Sequence, residues 1–245
     1  MSALTTSGGD YTGVDNLEVM AEAENYNRFL LSLVTRRVTP GMRLADFGAG
    51  TGSFALPLHG RGVDIVAIEP DATLAARLRQ AGIAAERDIA ALPDASLDFI
   101  YTFNVLEHIA DDGAAARALA RKLKPGGRLL VYVPAFPVLF TAMDHKVGHV
   151  RRYRRPGLSA LVSGAGLAVD DVRYVDSLGF FATLAYGVLT SGGDGQINRR
   201  ALRVYDRLIF PLSRLLDRLF SRSFGKNLVL LATKPAAAAR HFSMR

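Results

Sequence analysis

The residues best suited to chemistry lie at 44–54, Leu-Ala-Asp-Phe-Gly-Ala-Gly-Thr-Gly-Ser-Phe, where Gly48, Gly50 and Gly52 alternate after Asp46. An apolar run beginning at Met42 leads into Asp46, and helix-compatible residues resume at Ser53. That succession reads as a buried parallel strand, a tight turn and a helix N-terminus. Residues without Cβ let the backbone turn sharply and approach a ligand closely. A helix start adds free N–H groups, which favour an anionic or polar ligand group. A second acid, Glu69, closes the next apolar run at 63–68. It follows Asp46 by about twenty residues, the interval at which nucleotide-binding βαβ units place a ribose-binding acid. A carboxylate accepts from both ribose hydroxyls at once, so the pair of features points to a nucleoside-bearing ligand.

A dinucleotide fingerprint, G-x-G-x-x-G, would need its third glycine at position 53, which is Ser53. The spacing here, G-x-G-x-G with an acid two residues ahead, resembles motif I of the class I S-adenosylmethionine (SAM) dependent methyltransferases. Further segments carry the resemblance across residues 17–234. They are Leu92-Pro93-Asp94-Ala95-Ser96-Leu97-Asp98, the Leu-Glu-His of Asn104-Val105-Leu106-Glu107-His108-Ile109, Lys124-Pro125-Gly126-Gly127, and Asp144-His145 with Gly148-His149-Val150-Arg151-Arg152-Tyr153.

The resemblance implies SAM as cofactor and S-adenosyl-L-homocysteine as product. It assigns Asp46, Gly48, Ala49, Gly50 and Gly52 to the cofactor loop, and Glu69 with its neighbour Pro70 to the ribose. Asp88 and Ile89 then lie beside the adenine, Asn104 and Leu106 face the cofactor, and Tyr26 of a leading helix helps to cover it. The reaction implied is transfer of the sulfonium methyl to an O, N or C nucleophile of a small-molecule or lipid-like metabolite. Amino-methyltransferases of nucleic acids carry an Asn/Asp-Pro-Pro-aromatic segment where this chain has Asn104-Val105-Leu106, which weighs against a nucleic-acid acceptor. Two other readings stay open: an NAD-dependent oxidoreductase, and a non-catalytic SAM-binding or membrane-associated scaffold.

Strands are predicted at 42–46, 63–68, 83–87, 99–103, 128–133, 167–175 and 228–232. Helices are predicted at 17–38, 71–81, 114–123, 158–162 and 198–220, the last bent at Pro211. This alternation predicts an α/β fold, a Rossmann-like doubly wound seven-stranded sheet with a helical insertion at 198–222 before the last strand. As that fold implies, the last strand runs antiparallel to the fifth. Residues 1–16 read as a flexible N-terminus, 191–195 as a flexible loop and 235–245 as a tail.

Acceptor chemistry is expected in 134–156, the longest segment without periodicity, because structureless loops of that length are usually functional. His145, His149 and Tyr153 are its candidate base or acceptor-orienting groups, with His108 beside them. The alternative is that Arg151, Arg152 and Tyr153 only pin the loop. The five histidines show no H-E-x-x-H spacing and there are no cysteines, so no metal is expected. The net charge of +7 is concentrated in the second half. Residues 144–155 carry five basic residues against Asp144, and 199–222 carry seven arginines against Asp206 and Asp217. Leu202, Tyr205, Leu208, Ile209, Leu212, Leu215, Leu216, Leu219 and Phe220 mark one face of that second stretch, with arginines opposite. Such a helix packs on the sheet, packs on a second subunit in a homodimer, or lies on a membrane surface. The longest apolar stretch, 177–189, is too short to span a bilayer, and the N-terminus lacks signal-peptide character, so the expected compartment is the cytoplasm, with peripheral membrane contact through 198–222.

Overall fold

The computed structural model describes residues 19–20, 22–189 and 199–236. The expectations for 1–16, Leu17, 191–195, Asn198 and most of the tail lie outside the described residues.

Seven apolar runs become β1 (Arg43–Phe47), β2 (Asp64–Ile68), β3 (Ala84–Glu86), β4 (Leu97–Phe103), β5 (Leu123–Pro134), β6 (Ala168–Val175) and β7 (Asn227–Thr233). They form one sheet in the order β3-β2-β1-β4-β5-β7-β6. β7 runs antiparallel to both β5 and β6, whereas β1, β2, β3, β4 and β5 pair in parallel. Successive strand residues point to opposite faces, and both faces are covered. Leu44, Phe99 and Leu130 join a core with Leu30, Leu33 and Val34 of α1 (Glu24–Thr35). Ala45, Ile100 and Val131 join a second core with Leu119 of α4 (Asp112–Lys122) and Leu158 and Val162 of α6 (Arg155–Gly164).

Several elements differ from expectation for identifiable reasons. The helix after the glycine loop, α2 (Ala55–His59), is only five residues long. It ends in a turn in which Gly62, at φ +77°, donates its N–H to the His59 carbonyl at 2.8 Å. Its dipole is therefore small, and the loop's polarity rests on individual backbone N–H groups. α1 starts afresh at Glu24, after a short helical stretch at 19–20. The reason lies far along the chain: Asp206 accepts the backbone N–H groups of Asn25 and Tyr26, both at 2.9 Å. α3 (Ala72–Gln80) is capped by Asp71, as its sequence suggests.

The segment 134–156 is not structureless. It holds a 3₁₀ turn at Pro137–Leu139 and α5 (Ala142–Lys146), which opens on a Thr141/Asp144 capping box. The run 177–189 is a helix, α7 (Ser177–Leu189). The predicted 198–220 helix resolves into α8 (Arg199–Val204), a π turn at Tyr205–Ile209 and α9 (Phe210–Phe220). The wide turn sits immediately before Pro211, whose ring and missing N–H disrupt a regular i→i−4 ladder. The buried residues of this insertion are Asp206, Phe210, Ser213 and Asp217, while Leu208, Leu212, Leu215 and Leu219 are half or more exposed. Apart from Phe210, which packs on Tyr26 and Phe29, the buried residues are polar, and the stripe Leu208, Leu212, Leu215 and Leu219 faces outward.

Candidate functional site

The glycine loop is shaped by backbone geometry that other residues resist. Gly48, Gly50 and Gly52 have φ of +83°, +55° and +83°. A Cβ on Gly48 would stand 2.3 Å from Val105 Cγ2, so the β1 and β4 ends approach as closely as they do only without a side chain there. The Gly50 N–H donates to Glu69 Oε2 at 2.7 Å and the Asp71 N–H to Glu69 Oε1 at 3.0 Å. Glu69 is thus fastened to the glycine loop and to the start of α3, and each oxygen keeps a second lone pair. Burial raises the Glu69 carboxyl above the usual carboxylate range, opposed by the Asp71 and Gly50 hydrogen bonds.

Asp46, next to last in β1, is almost fully buried, and its Oδ2 has no hydrogen-bond partner. Desolvation raises its pKa to about 7, with the neighbouring Tyr101 hydroxyl opposing. An orphaned buried acceptor beside a glycine-rich turn fits a ligand that brings a donor or positive charge, as the amino-acid end of SAM does. Ala49 is buried in the loop and Pro70 is exposed beside Glu69.

The remaining predicted cofactor residues also lie at the carboxyl edge of the sheet, where parallel sheets bind ligands. Asp88 is partly buried and caps a short 3₁₀ turn through Ala90 N at 2.8 Å. Asn104 follows β4 at φ +54°, and its amide donates to the Tyr26 hydroxyl at 3.3 Å. Burial pushes the Tyr26 phenol up to about 12, so it is a neutral hydrogen-bonding group on α1. Ile89 and Leu106 are corrected in one respect: both side chains are sealed in the core, at 1% and 0% exposure, because each is the apolar anchor of a 3₁₀ turn. Three of the four positive-φ non-glycine residues among those described, Asn104, Phe136 and Asp176, follow β4, β5 and β6 at this same edge. Strained backbone of this kind concentrates at functional sites.

The histidine-rich loop divides. His145 is exposed against the Phe140 ring, 4.9 Å between centroids. The Tyr153 hydroxyl donates to Asp112 Oδ2 at 2.8 Å, and burial raises its ionisation well beyond the usual phenol range. It also pairs with Ala135 in an isolated β-bridge. Tyr153 is therefore a pin for the loop and not a base, since a phenol that donates and resists ionisation takes no proton. His149 does reach the sheet edge. Its Nδ1 lies 2.7 Å from Asp144 Oδ1, its Nε2 3.7 Å from Glu107 Oε1, and its ring 4.7 Å from that of His108.

Sequence reasoning missed two carboxylates here. Asp144 is buried and clamped by Arg152 Nε and Nη2 at 2.8 and 2.9 Å. Burial alone would raise its pKa, but the His149 and Arg152 hydrogen bonds outweigh it and hold the group well below the usual range. Glu107 is fully buried, neither oxygen has a hydrogen-bond partner, and desolvation raises its pKa to about 8. The Glu-His and Gly-His pairs were the available signal, but nothing in their spacing shows that they meet.

The profile of a methyltransferase-domain family matches residues 21–172. The ubiquinone biosynthesis O-methyltransferase of Xylella fastidiosa (strain M23) is 31% identical over 170 residues, spanning 60% of this chain and 69% of that protein. Among solved structures, the [4+2]-cyclase SpnF aligns at a TM-score of 0.57 and 24% identity, covering 86% of this chain and 81% of that one. A SAM-dependent methyltransferase from Archaeoglobus fulgidus aligns at 0.55 and 15%, covering 85% and 94%. At those identities the structures speak for the fold alone, whereas the family profile and the bacterial relative speak for the lineage. The chain belongs to the class I SAM-dependent methyltransferases.

Proposed function

We propose that this enzyme methylates an oxygen of a small, lipid-like acceptor presented at a membrane surface. SAM supplies an activated methyl on a sulfonium, so the protein's task is mainly alignment and exclusion of water. Glu69 grips the ribose, the 48–52 loop admits the amino-acid end, and Tyr26 with Asn104 closes the cover. The acceptor oxygen approaches the Glu107, His108 and His149 cluster, which adjoins Asn104 in the chain.

The observation that carries the lipid reading is the outward stripe Leu208, Leu212, Leu215 and Leu219, at 50–75% exposure. Arg207 and Arg218, both exposed, flank it, the composition of a helix lying on an anionic interface. No described helix is long and apolar enough to cross a membrane. Near the end of α9 lies a cavity of about 520 Å³ lined by Phe136, Arg154, Arg155, Tyr174 and Arg222. Phe136 stacks on Tyr174 at 4.6 Å and Arg154 lies 5.5 Å over the Phe136 ring, which suits an anionic head group. The Xylella relative's name, an O-methyltransferase of ubiquinone biosynthesis, supports an oxygen acceptor of this kind. The setting proposed is the cytoplasmic face of the membrane.

Deuteriomethyl-SAM is incubated with the enzyme and, separately, with the soluble and lipid fractions of a bacterial extract, and label is followed by mass spectrometry. Label on an oxygen of a lipid-fraction molecule is the expected result. Label confined to polar metabolites, or to nitrogen, would overturn the reading.

A further inference from the structure

We propose that Glu107, His108 and His149 bind one divalent first-row transition-metal ion, with Zn²⁺ as the reference case. Each side chain offers one ligand atom, and the three atoms lie within 4.8 Å of one another. Two imidazoles and a carboxylate form the nitrogen and oxygen set suited to Zn²⁺, Mn²⁺ or Fe²⁺, and leave coordination positions open.

The stronger argument is the arrangement of acceptors. Asp144 is locked by Arg152, so the hydrogen of its short contact with His149 belongs to His149 Nδ1. The lone pair of His149 is then on Nε2, which faces Glu107 Oε1 at 3.7 Å. Glu107 has neither oxygen hydrogen-bonded although it is fully buried. A buried lone pair opposite an unpartnered carboxyl is costly unless something positive stands between them. Ligand atoms around a tetrahedral ion, each about 2.1 Å from it, stand roughly 3.4 Å apart, so Glu107 and His149 are nearly in place. His108 closes the remainder by a movement on the order of 1 Å.

The supporting shell has the form found around such ions, with each ligand imidazole oriented through its other nitrogen. Asp144 holds His149, and the His108 ring hydrogen-bonds the Gly148 backbone. The Val150 N–H donates to the Glu107 carbonyl at 2.8 Å, so the 134–156 loop is fastened to the ligand-bearing turn. Glu107 and His108 come from the turn after β4 and His149 from the loop after β5, which places the ion at the carboxyl edge of the sheet. Its role, which rests on the oxygen-acceptor reading above, is to coordinate the acceptor hydroxyl and lower its pKa so that the oxygen attacks as an alkoxide or phenolate. The displaced proton passes to solvent.

The full-length protein, stripped with EDTA and dialysed, is titrated with Co²⁺ by visible absorption and with Zn²⁺ by calorimetry. One ion per chain is expected. Glu107→Gln and His149→Gln should weaken binding at least 100-fold, and His59→Gln on α2 should leave it unchanged. S-adenosylhomocysteine binding is measured on every preparation, so that a misfolded variant is recognised and set aside. The wild-type titration then decides by itself: no saturable binding overturns the proposal, as does equal affinity in folded Glu107→Gln. Methyl transfer is followed in the same samples. Ion binding without oxygen methylation removes the acceptor reading and keeps the site, whereas oxygen methylation untouched by stripping, with no ion bound, removes the site and keeps the reading.

Discussion

The Gly50 N–H and Glu69 Oε2 are 2.7 Å apart, so the cofactor loop and the acid on the neighbouring strand form one hydrogen-bonded unit. In the proposed reading, replacing Glu69 by Ala removes a ribose acceptor, and it also leaves the Gly50 and Asp71 N–H groups without their carboxylate. Hydrogen bonds to a charged group contribute about 1.5–3 kcal/mol each, so SAM affinity should fall by about 10- to 100-fold. Calorimetry with S-adenosylhomocysteine measures this, and undiminished affinity would remove Glu69 from the site. Gly48→Ala should act similarly through its collision with Val105.

Asp46 makes stability depend on pH in a defined direction. Its folded pKa, about 7, is raised from the ordinary value near 3.9. Between those values the native state keeps a proton that the unfolded chain releases, so stability falls as pH rises from about 4 to about 7 and then levels. Asp46→Asn lacks this penalty. Urea unfolding of the ligand-free proteins at pH 5 and pH 8 should show the variant gaining on wild type by on the order of 2–3 kcal/mol at the higher pH. A constant difference between the two pH values would sink the assignment.

Asp206 and Asp217 cap helices that they do not belong to. Asp217 accepts the Asp176 and Ser177 backbone N–H groups at 2.9 Å each and pairs with Arg214. Asp206 does the same for Asn25 and Tyr26. Either residue changed to Ala should cost about 2 kcal/mol, lowering Tm by roughly 4–8 °C in a domain of this size. Asp206→Ala should also weaken cofactor binding, because it loosens the helix that carries Tyr26. Thermal melts with and without S-adenosylhomocysteine test both.

The leucine stripe should be dispensable for cofactor binding and necessary for lipid binding. Leu212→Gln with Leu215→Gln should leave S-adenosylhomocysteine affinity unchanged and reduce flotation with anionic phosphatidylglycerol vesicles several-fold. Equal flotation of variant and wild type would count against the membrane surface.

Much of the fold is legible in the chain. Apolar runs long enough to be buried on both faces, punctuated by glycine and proline, determine the strands, and alternation with helices determines a parallel sheet. The antiparallel β7 was implied by family resemblance and is observed against β5. Asp46, the three glycines and Glu69 are legible because their geometry is local, within one βαβ unit. Periodicity marked the face of 198–220 as amphipathic but left open what that face meets, since it cannot register that Asp206 and Asp217 find uncapped backbone N–H groups up to 181 residues away. The same limit hid the meeting of Glu107 and His108 with His149. Ligand spacing is readable only when one helix or turn carries the set, and here parallel pairing of β4 with β5 brings together two loops that the chain keeps apart. Sequence alone determined the glycine loop after β1 and the acid after β2, and tertiary structure decided what stands opposite them, because contacts across a sheet edge are fixed by topology and not by residue spacing.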